Sequence, residues 1–414
     1  MEEKTDISSF TSYIFFWIGQ LVSIFGSSVV YFALIWWLTD ITGSAIALSI
    51  GTLSYLIPFI LASLIGGVVA DKYDRKKVIL LVDSLQACST FIMWVFFAFN
   101  FMKFWMLYSF FAFRSVCQAF HMPTESAIIP TMVPKKQLSR INGINFVATG
   151  FIHIIGPIVA GPLLLFFTIK AILWIDVITF LISVVPLILV KIPSVHKEKE
   201  KSERESFWIQ FRSGFKVLIA VPGLLALIIQ AMICNFLMQP ISTLLPYYIR
   251  VLHMGSVVDY ALVSMSFNIG MFIGGIITTV KGTWTHKIPI ITIAVVIHGI
   301  AYSLFAFILI GDFFHMMILS VIRGITMPII NAIYFTILQT SVSHEKLGRI
   351  TSIDNTLSFI AMPLGTAISG LLAYFYGIGP LFFISASLYI LTTVMIFFLT
   401  NLRKLDSIKE VSES

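Results

Sequence analysis

The sequence predicts an all-α integral membrane protein whose twelve transmembrane helices form two pseudo-symmetric six-helix bundles. Three observations predict it: a composition unsuited to water, twelve apolar runs of spanning length divided six and six by a polar stretch, and a self-similarity between the halves at one fixed offset. Of the 414 residues, 58% are apolar and 11% charged, and the mean hydropathy is +0.96. Charged residues make up about a quarter of an ordinary globular protein, so most of this chain is written for lipid.

A helix needs about 20 apolar residues to cross the hydrocarbon core. The first run, near 13–38, follows the acidic and polar start MEEKTDISSFTS and is too long for the core of a cleaved signal, so it is expected to stay as a helix. Runs near 45–70, 78–99, 104–129, 141–168 and 171–190 complete the first bundle, residues 1–190. Residues 191–216 contain Lys197-Glu198-Lys199-Glu200-Lys201 and read as a solvated linker. Runs near 217–249, 260–280, 288–311, 313–342, 355–376 and 378–402 form the second bundle, residues 217–402, followed by a tail, 403–414. Cys88, Cys117 and Cys234 fall inside apolar runs without paired or metal-ligand spacing and read as packing residues.

The net charge of +7 is spread over short loops rather than one helix face, so it reports membrane orientation and not a nucleic-acid partner. Twenty-two of the 27 Lys and Arg fall at the termini and in alternate loops, against Lys103, Lys170 and Arg250 in the opposite set. The basic side stays in the cytoplasm, which places both termini there. The halves also match at an offset of 209 residues: Arg114 falls on Arg323, Arg140 on Arg349, Gly156 on Gly365 and Gly161 on Gly370. Two like halves in parallel orientation can rock about a central site and expose it to either side in turn. That is the architecture of a transporter.

The stretch Gly67 to Lys77 reads GVVADKYDRKK and falls between the second and third runs. A glycine there lets two helices approach closely, and the Asp71 carboxylate can cap a neighbouring helix N-terminus. A solvated, positively charged loop would need the Lys and Arg but not the aspartates. The spacing resembles the loop motif of the major facilitator superfamily, with Lys72 where arginine is usual and Asp74 where glycine is usual. The resemblance implies that Arg75 meets an acid at the cytoplasmic end of the fourth helix, where Glu125 is available. Gly67, Asp71, Arg75, Lys76 and Glu125 are therefore the expected gating cluster.

Gly150, Gly156-Pro157 and Gly161-Pro162 in the fifth run are similar to the motif that marks antiporters in this superfamily, although small residues also serve ordinary helix packing. Thr42-Gly43-Ser44, Arg114 followed by Ala119-Phe120-His121-x-Pro123, Val133-Pro134 before Leu138, and Leu347-Gly348-Arg349 extend the resemblance over nearly the whole chain. Together they look like the drug:proton antiporter branch that contains macrolide-efflux proteins. The second-half counterpart of the gating loop, Lys281 to Lys287, has lost the aspartates and the arginine, so gating is expected to be asymmetric.

Arg114 lies near the middle of its run, and Arg323 repeats it; a central arginine costs on the order of 3 kcal/mol on insertion scales and must face the bundle interior. A proton-driven exporter needs a carboxylate that is loaded on one side and unloaded on the other. Asp176, Asp83 and Asp40 are the candidates, with Asp354 placed at the inner border of the eleventh helix, either solvated or capping it. Each alone reads as a structural residue sooner than as the coupling acid, and His153 as a satisfied core residue sooner than as a titrating one. Gln20, Ser27, Asn235, Gln239 and Asn331 place hydrogen-bonding groups in helices 1, 7 and 10, which line the cavity in the family. The expected substrate or proton pathway is Gln20, Asp40, Asp83, Arg114, Asp176, Gln239 and Arg323.

No phosphate-binding glycine loop, HExxH or cysteine-histidine cluster is present, which argues against ATP as the energy source and against an enzyme. The resemblance implies a cell-membrane exporter of small amphipathic, macrolide-like compounds, driven by a proton gradient without a cofactor and working as a monomer. Export of a native metabolite such as a siderophore or a lipid-like molecule is the alternative, and a membrane receptor or enzyme without flux the remote one.

Overall fold

The computed structural model describes residues 2–193, 215, 218–342 and 344–407, and among them it is almost wholly helical. The expected linker therefore lies outside the described residues except for 191–193 and 215, and so does the tail beyond Ser407. In chain order the helices are α1 (Glu2–Thr42), α2 (Ala45–Lys72), α3 (Arg75–Ala98), α4 (Phe104–Met132), α5 (Leu138–Phe166), α6 (Ile169–Leu189), α7 (Leu224–Leu237), α8 (Gln239–Tyr247), α9 (Val257–Lys281), α10 (Lys287–Leu304), α11 (Phe313–Ser341), α12 (His344–Tyr376) and α13 (Ile378–Leu399). Two compact units result. One is Met1–Gly43 with Ile50–Lys199 and Gly255–Met265; the other is Ser44–Ser49 with Glu200–Met254 and Ser266–Ser414.

Eleven segments among the described residues are long and apolar enough to cross a membrane. Phe104–Met132 is the spanning-length helix that falls short, because Arg114, Gln118, His121 and Glu125 run down it at helical spacing. The two units repeat each other closely in register. Phe104–Met132 recurs as Phe313–Ser341, both ends displaced by 209 residues, and α6 and α13 begin the same distance apart, at Ile169 and Ile378. Large apolar side chains such as Leu64, Phe166 and Val280 stay mostly exposed, as lipid rather than water requires. Hydroxyls along the helices return to their own backbone, as Thr39 does to the Ile35 carbonyl at 2.8 Å and Thr278 to Gly274 at 2.8 Å.

Four expectations need correction. The stretch from Gly67 is not mainly loop: α2 continues to Lys72 and α3 begins at Arg75, leaving Tyr73 and Asp74 between them. The close approach does not fall on Gly67, which faces open space, but on Gly66, where a Cβ would stand 2.3 Å from the Ala119 carbonyl oxygen of α4. The seventh run is broken, since α7 ends at Leu237 and α8 starts at Gln239 with Pro240 behind it. Proline has no amide hydrogen to give the Phe236 carbonyl, and Gly365 of α12 faces that carbonyl, where a Cβ would lie 2.6 Å away. The span then continues through a π-helical turn, Tyr248–Leu252. Finally, α12 begins at His344, so Asp354 lies inside the helix, buried, and accepts a hydrogen bond from Tyr334 at 2.5 Å.

At the start of α11 the Asp312 carboxylate accepts the His315 N–H at 3.2 Å and meets the His315 ring at 2.5 Å. The backbone hydrogen bond first, then the ring, hold this carboxyl below its ordinary range. In the second unit α9 and α11 pack through glycines: Gly270 and Gly274 face the Val321 and Ile325 carbonyls, and Gly324 faces that of Phe267. This is the small-residue contact by which lipid-embedded helices associate.

Replacing Gly66 by alanine is expected to cost about 1–3 kcal/mol, because the methyl group meets backbone that cannot rotate away. Gly67→Ala, with open space at its Cα, is expected to leave stability unchanged or improve it. Thermal unfolding of the two variants in detergent checks this, and equal melting temperatures would contradict the packing described.

Candidate functional site

Polar residues of the first unit converge on a cavity of about 380 Å³. Its wall includes Gln20, Ser27 and Tyr31 from α1, Tyr55 from α2, Asp83 and Gln86 from α3, Arg114, Gln118 and His121 from α4, His153 from α5 and Asp176 from α6. Gln20 and Ser27, Asp83 and Thr90, and Arg114 and His121 are each seven residues apart. Seven residues are two helical turns, so three helices place their polar groups in the same two layers, about 10 Å apart.

One layer is an ion pair. Arg114 Nη1 lies 2.8 Å from Asp176 Oδ2, with side chains 11% and 5% exposed. Asp176 also accepts from the Ser27 hydroxyl at 2.7 Å and the Thr90 hydroxyl at 2.5 Å. The same Nη1 also faces the Gln86 carbonyl at 3.3 Å and the Thr90 oxygen, while Nη2 donates to the Ser27 oxygen at 3.2 Å. An ion pair away from water survives only when its lone pairs and protons are satisfied in this way.

The other layer is a chain of titratable groups. His121 Nε2 sits 3.1 Å from Gln20 Oε1 and 3.3 Å from Asp83 Oδ1. Gln20 donates to the second Asp83 oxygen at 3.5 Å. His121 Nδ1 points to Glu125 Oε2 at 3.8 Å, one turn along α4.

Several expected partners are arranged differently. Arg75 does not reach Glu125 in this structure: its guanidinium donates to the Ala127 carbonyl at 2.9 Å and to that of Ala70 at 3.4 Å, while Glu125 faces His121. The cap of α3 is Asp74, which accepts the Lys77 N–H at 3.2 Å; Asp71 is exposed on the last turn of α2. Lys76 donates to the carbonyls of Ile188 at 2.6 Å and Val190 at 2.8 Å, supplying positive charge at the C-terminal end of α6. Of the antiporter motif, Gly156 presses α5 against Ser28 and Gly161 faces Ala261, with Pro157 and Pro162 inside the helix, whereas Gly150 faces open space. Asp40 is exposed near the end of α1, outside both layers.

The second unit keeps the arginine and loses its acid. Asp176 falls on Ser385 at the repeat offset, and among the described residues no carboxylate pairs with Arg323. Its guanidinium instead lies 5.5, 5.4 and 5.7 Å from the ring centres of Phe267, Tyr302 and Phe305. Aromatic faces attract a cation electrostatically and so replace part of the missing carboxylate. Gln239 accepts from Thr366 at 3.2 Å and donates to the Asn235 carbonyl at 3.2 Å, Asn235 donates to Ser358 at 3.3 Å, and Asn331 is exposed. Tyr31, Tyr55, Gln86, Gln118 and His121 are among the cavity residues that sequence reading did not select for the pathway, and neither did it select Thr90, which bonds to the ion pair. The spacing of Arg114, Gln118, His121 and Glu125, every third or fourth residue of an apolar run, was the available signal.

The chain matches the model of the Major Facilitator Superfamily over residues 16–366 and 286–413. It is 29% identical over 390 residues to Macrolide efflux protein A of Streptococcus pyogenes, covering 94% of this chain and 96% of that protein. With Multidrug efflux pump Tap of Mycolicibacterium fortuitum it shares 24% identity over 393 residues, 92% of this chain and 94% of the other. Its fold is similar to that of a bacterial homologue of the iron transporter ferroportin in an inward-facing state, with a TM-score of 0.69 and 14% identity over 95% of this chain and 99% of that one. It is similar also to a D-xylose-proton symporter, with a TM-score of 0.69 and 12% identity over 94% and 99% of the two chains. At these identities the structural likeness is one of fold alone.

Asp176→Asn leaves Arg114 buried without its counter-charge and is expected to cost about 3–5 kcal/mol, while Arg114→Gln combined with Asp176→Asn costs less than the single change. Chemical or thermal unfolding of both proteins in detergent tests the difference; equal losses would show that the pair is not coupled.

Proposed function

The chain belongs to the major facilitator superfamily of membrane transporters, and from that premise we propose that it exports small amphipathic, macrolide-like compounds in exchange for protons. The two units expose the transport path to the two sides in turn, with both termini in the cytoplasm, no cofactor, and one chain as the working unit. The observation that carries this reading is the Arg114–Asp176 pair at 2.8 Å on the wall of the first unit's cavity. Protonating Asp176 would break the pair and leave the guanidinium without a counter-charge. A proton and a conformational preference are thereby tied to one site, which is what coupling needs. The macrolide and multidrug efflux relatives support the direction and class of cargo.

Gating is assigned to the end of the first unit that carries Gly67, Asp71, Arg75, Lys76 and Glu125. Arg75 and Lys76 hold carbonyls of α4 and α6 there, contacts that must exchange if those helix ends separate. A second reading, export of a lipid-like native metabolite, is favoured by a cavity of about 290 Å³ in the second unit. Its wall is mostly apolar, with Leu237, Pro240, Ile368, Leu372 and Leu388.

The test is proton movement on adding a macrolide to liposomes that carry the pure protein. Wild type is expected to move protons against macrolide, and Arg114→Gln and Asp176→Asn to lose about tenfold or more of that coupled flux. Absence of macrolide flux with or without a pH gradient would remove the drug assignment and leave the transporter fold.

Lys76→Met is expected to slow exchange without changing macrolide affinity, measured by binding and counterflow on the same preparation. Unaltered exchange would place the carbonyl contacts outside the gate.

A further inference from the structure

We propose that His121 carries the proton between Asp83 and Glu125, and so connects the cavity to the end of α4 that Arg75 holds. The inference rests on the proton-antiport reading above but concerns a different group of residues. His121 is buried, with its side chain 5% exposed, and its two ring nitrogens face different carboxylates. Nε2 has two oxygens before it, Gln20 Oε1 at 3.1 Å and Asp83 Oδ1 at 3.3 Å. Gln20 is oriented by its own bond from Nε2 to Asp83, which turns its carbonyl to the imidazole. Two acceptors on one side fix the ring proton at Nε2, and the lone pair of the neutral ring is then at Nδ1.

That Nδ1 has no hydrogen-bond partner among the described residues, although it is buried. A buried ring nitrogen without a partner is costly for a purely structural histidine. Glu125 Oε2 stands 3.8 Å from it, in the helix position one turn on, and the Glu125 side chain is 20% exposed. A small rotation of Glu125 closes the gap to hydrogen-bond length. The other groups facing this chain are Tyr13 of α1 near Glu125, Cys117 of α4 near Asp83, and Asp176 of α6, which is already held by Arg114.

The transfer balances for one proton. A proton on the Glu125 carboxyl passes to Nδ1, giving the imidazolium; Nε2 then releases its proton to the Asp83 carboxylate. Glu125 has lost one proton, Asp83 has gained one, and the neutral ring holds its hydrogen on Nδ1. The reverse sequence moves a proton from Asp83 to Glu125 and restores the first tautomer. Asp83 lies on the cavity wall and Glu125 beyond it along α4, so the histidine is the link between them.

His121→Gln keeps hydrogen bonding and comparable size but cannot take a proton on one atom and release it from another; His121→Asn is the second variant should the first fold poorly. The first measurement needs no cargo. The Asp83 carboxyl stretching band, identified by its loss in Asp83→Asn, is followed by infrared spectroscopy after a pH jump on the purified protein in lipid nanodiscs. Its rise is expected to slow by about tenfold or more in His121→Gln with the final amplitude retained, since a positioned proton carrier contributes at least that much. An unchanged rate overturns the proposal. The second measurement separates net proton-driven uptake of radiolabelled erythromycin into inverted vesicles from erythromycin exchange at equal pH. A loss of net uptake several-fold greater than any loss of exchange supports the relay, and net uptake reduced no more than exchange overturns it. If wild type itself moves no protons with erythromycin, the antiport reading fails while the infrared rate still decides the role of His121.

Discussion

A guanidinium in the middle of a lipid-embedded bundle is the constraint on which the first unit depends. Arg114 is placed there by α4, and everything around it follows from the need to keep it paired: the Asp176 carboxylate from α6, hydroxyls from α1 and α3, and a backbone carbonyl of α3. Breaking such a pair from one side is strongly destabilising, whereas removing both charges together is often tolerated. The pair and its hydrogen bonds thus hold α1, α3, α4 and α6 in one arrangement. The contact proposed above for coupling is therefore also one on which the packing of the first unit rests.

The duplicated half shows what happens where that demand is relaxed. Arg323 occupies the repeat position of Arg114, yet Ser385 replaces the acid, and aromatic faces surround the cation. Asp83 and Glu125 likewise fall on Thr292 and Tyr334, which carry hydroxyls in place of carboxylates. The acid and histidine chain therefore belongs to one half of a structure that is otherwise nearly symmetric in helix register. The second half contributes an apolar cavity and glycine-tight packing of α9 on α11 instead.

Much of this was legible in the sequence, and the reasons differ by level. Spanning helices announce themselves because lipid tolerates few polar residues, and Arg114 and Arg323 stood out for the same reason. Partners were harder to read. Arg114 and Asp176 are 62 positions apart, and nothing local links them; only the packing of α4 and α6 does. Gly66 and Gly67 are adjacent, and which of them meets Ala119 depends on a helix rotation that an apolar pattern does not fix. His121 could have been found from its spacing to Arg114 and Glu125, but it lay within a motif and was read as part of that motif. The assignment of Arg75 to Glu125 came from resemblance, and the geometry gives each of them another neighbour.

The seven-residue spacing shared by α1, α3 and α4 bears on how this chain can vary. Adding or deleting one residue between Gln20 and Ser27, Asp83 and Thr90, or Arg114 and His121 would turn one layer by about 100° relative to the other. A helix altered in that way would still look like a good membrane span by length and apolarity, yet one of its two polar groups would face hydrocarbon. Indels in these three short segments are therefore far more damaging than substitutions of equal size.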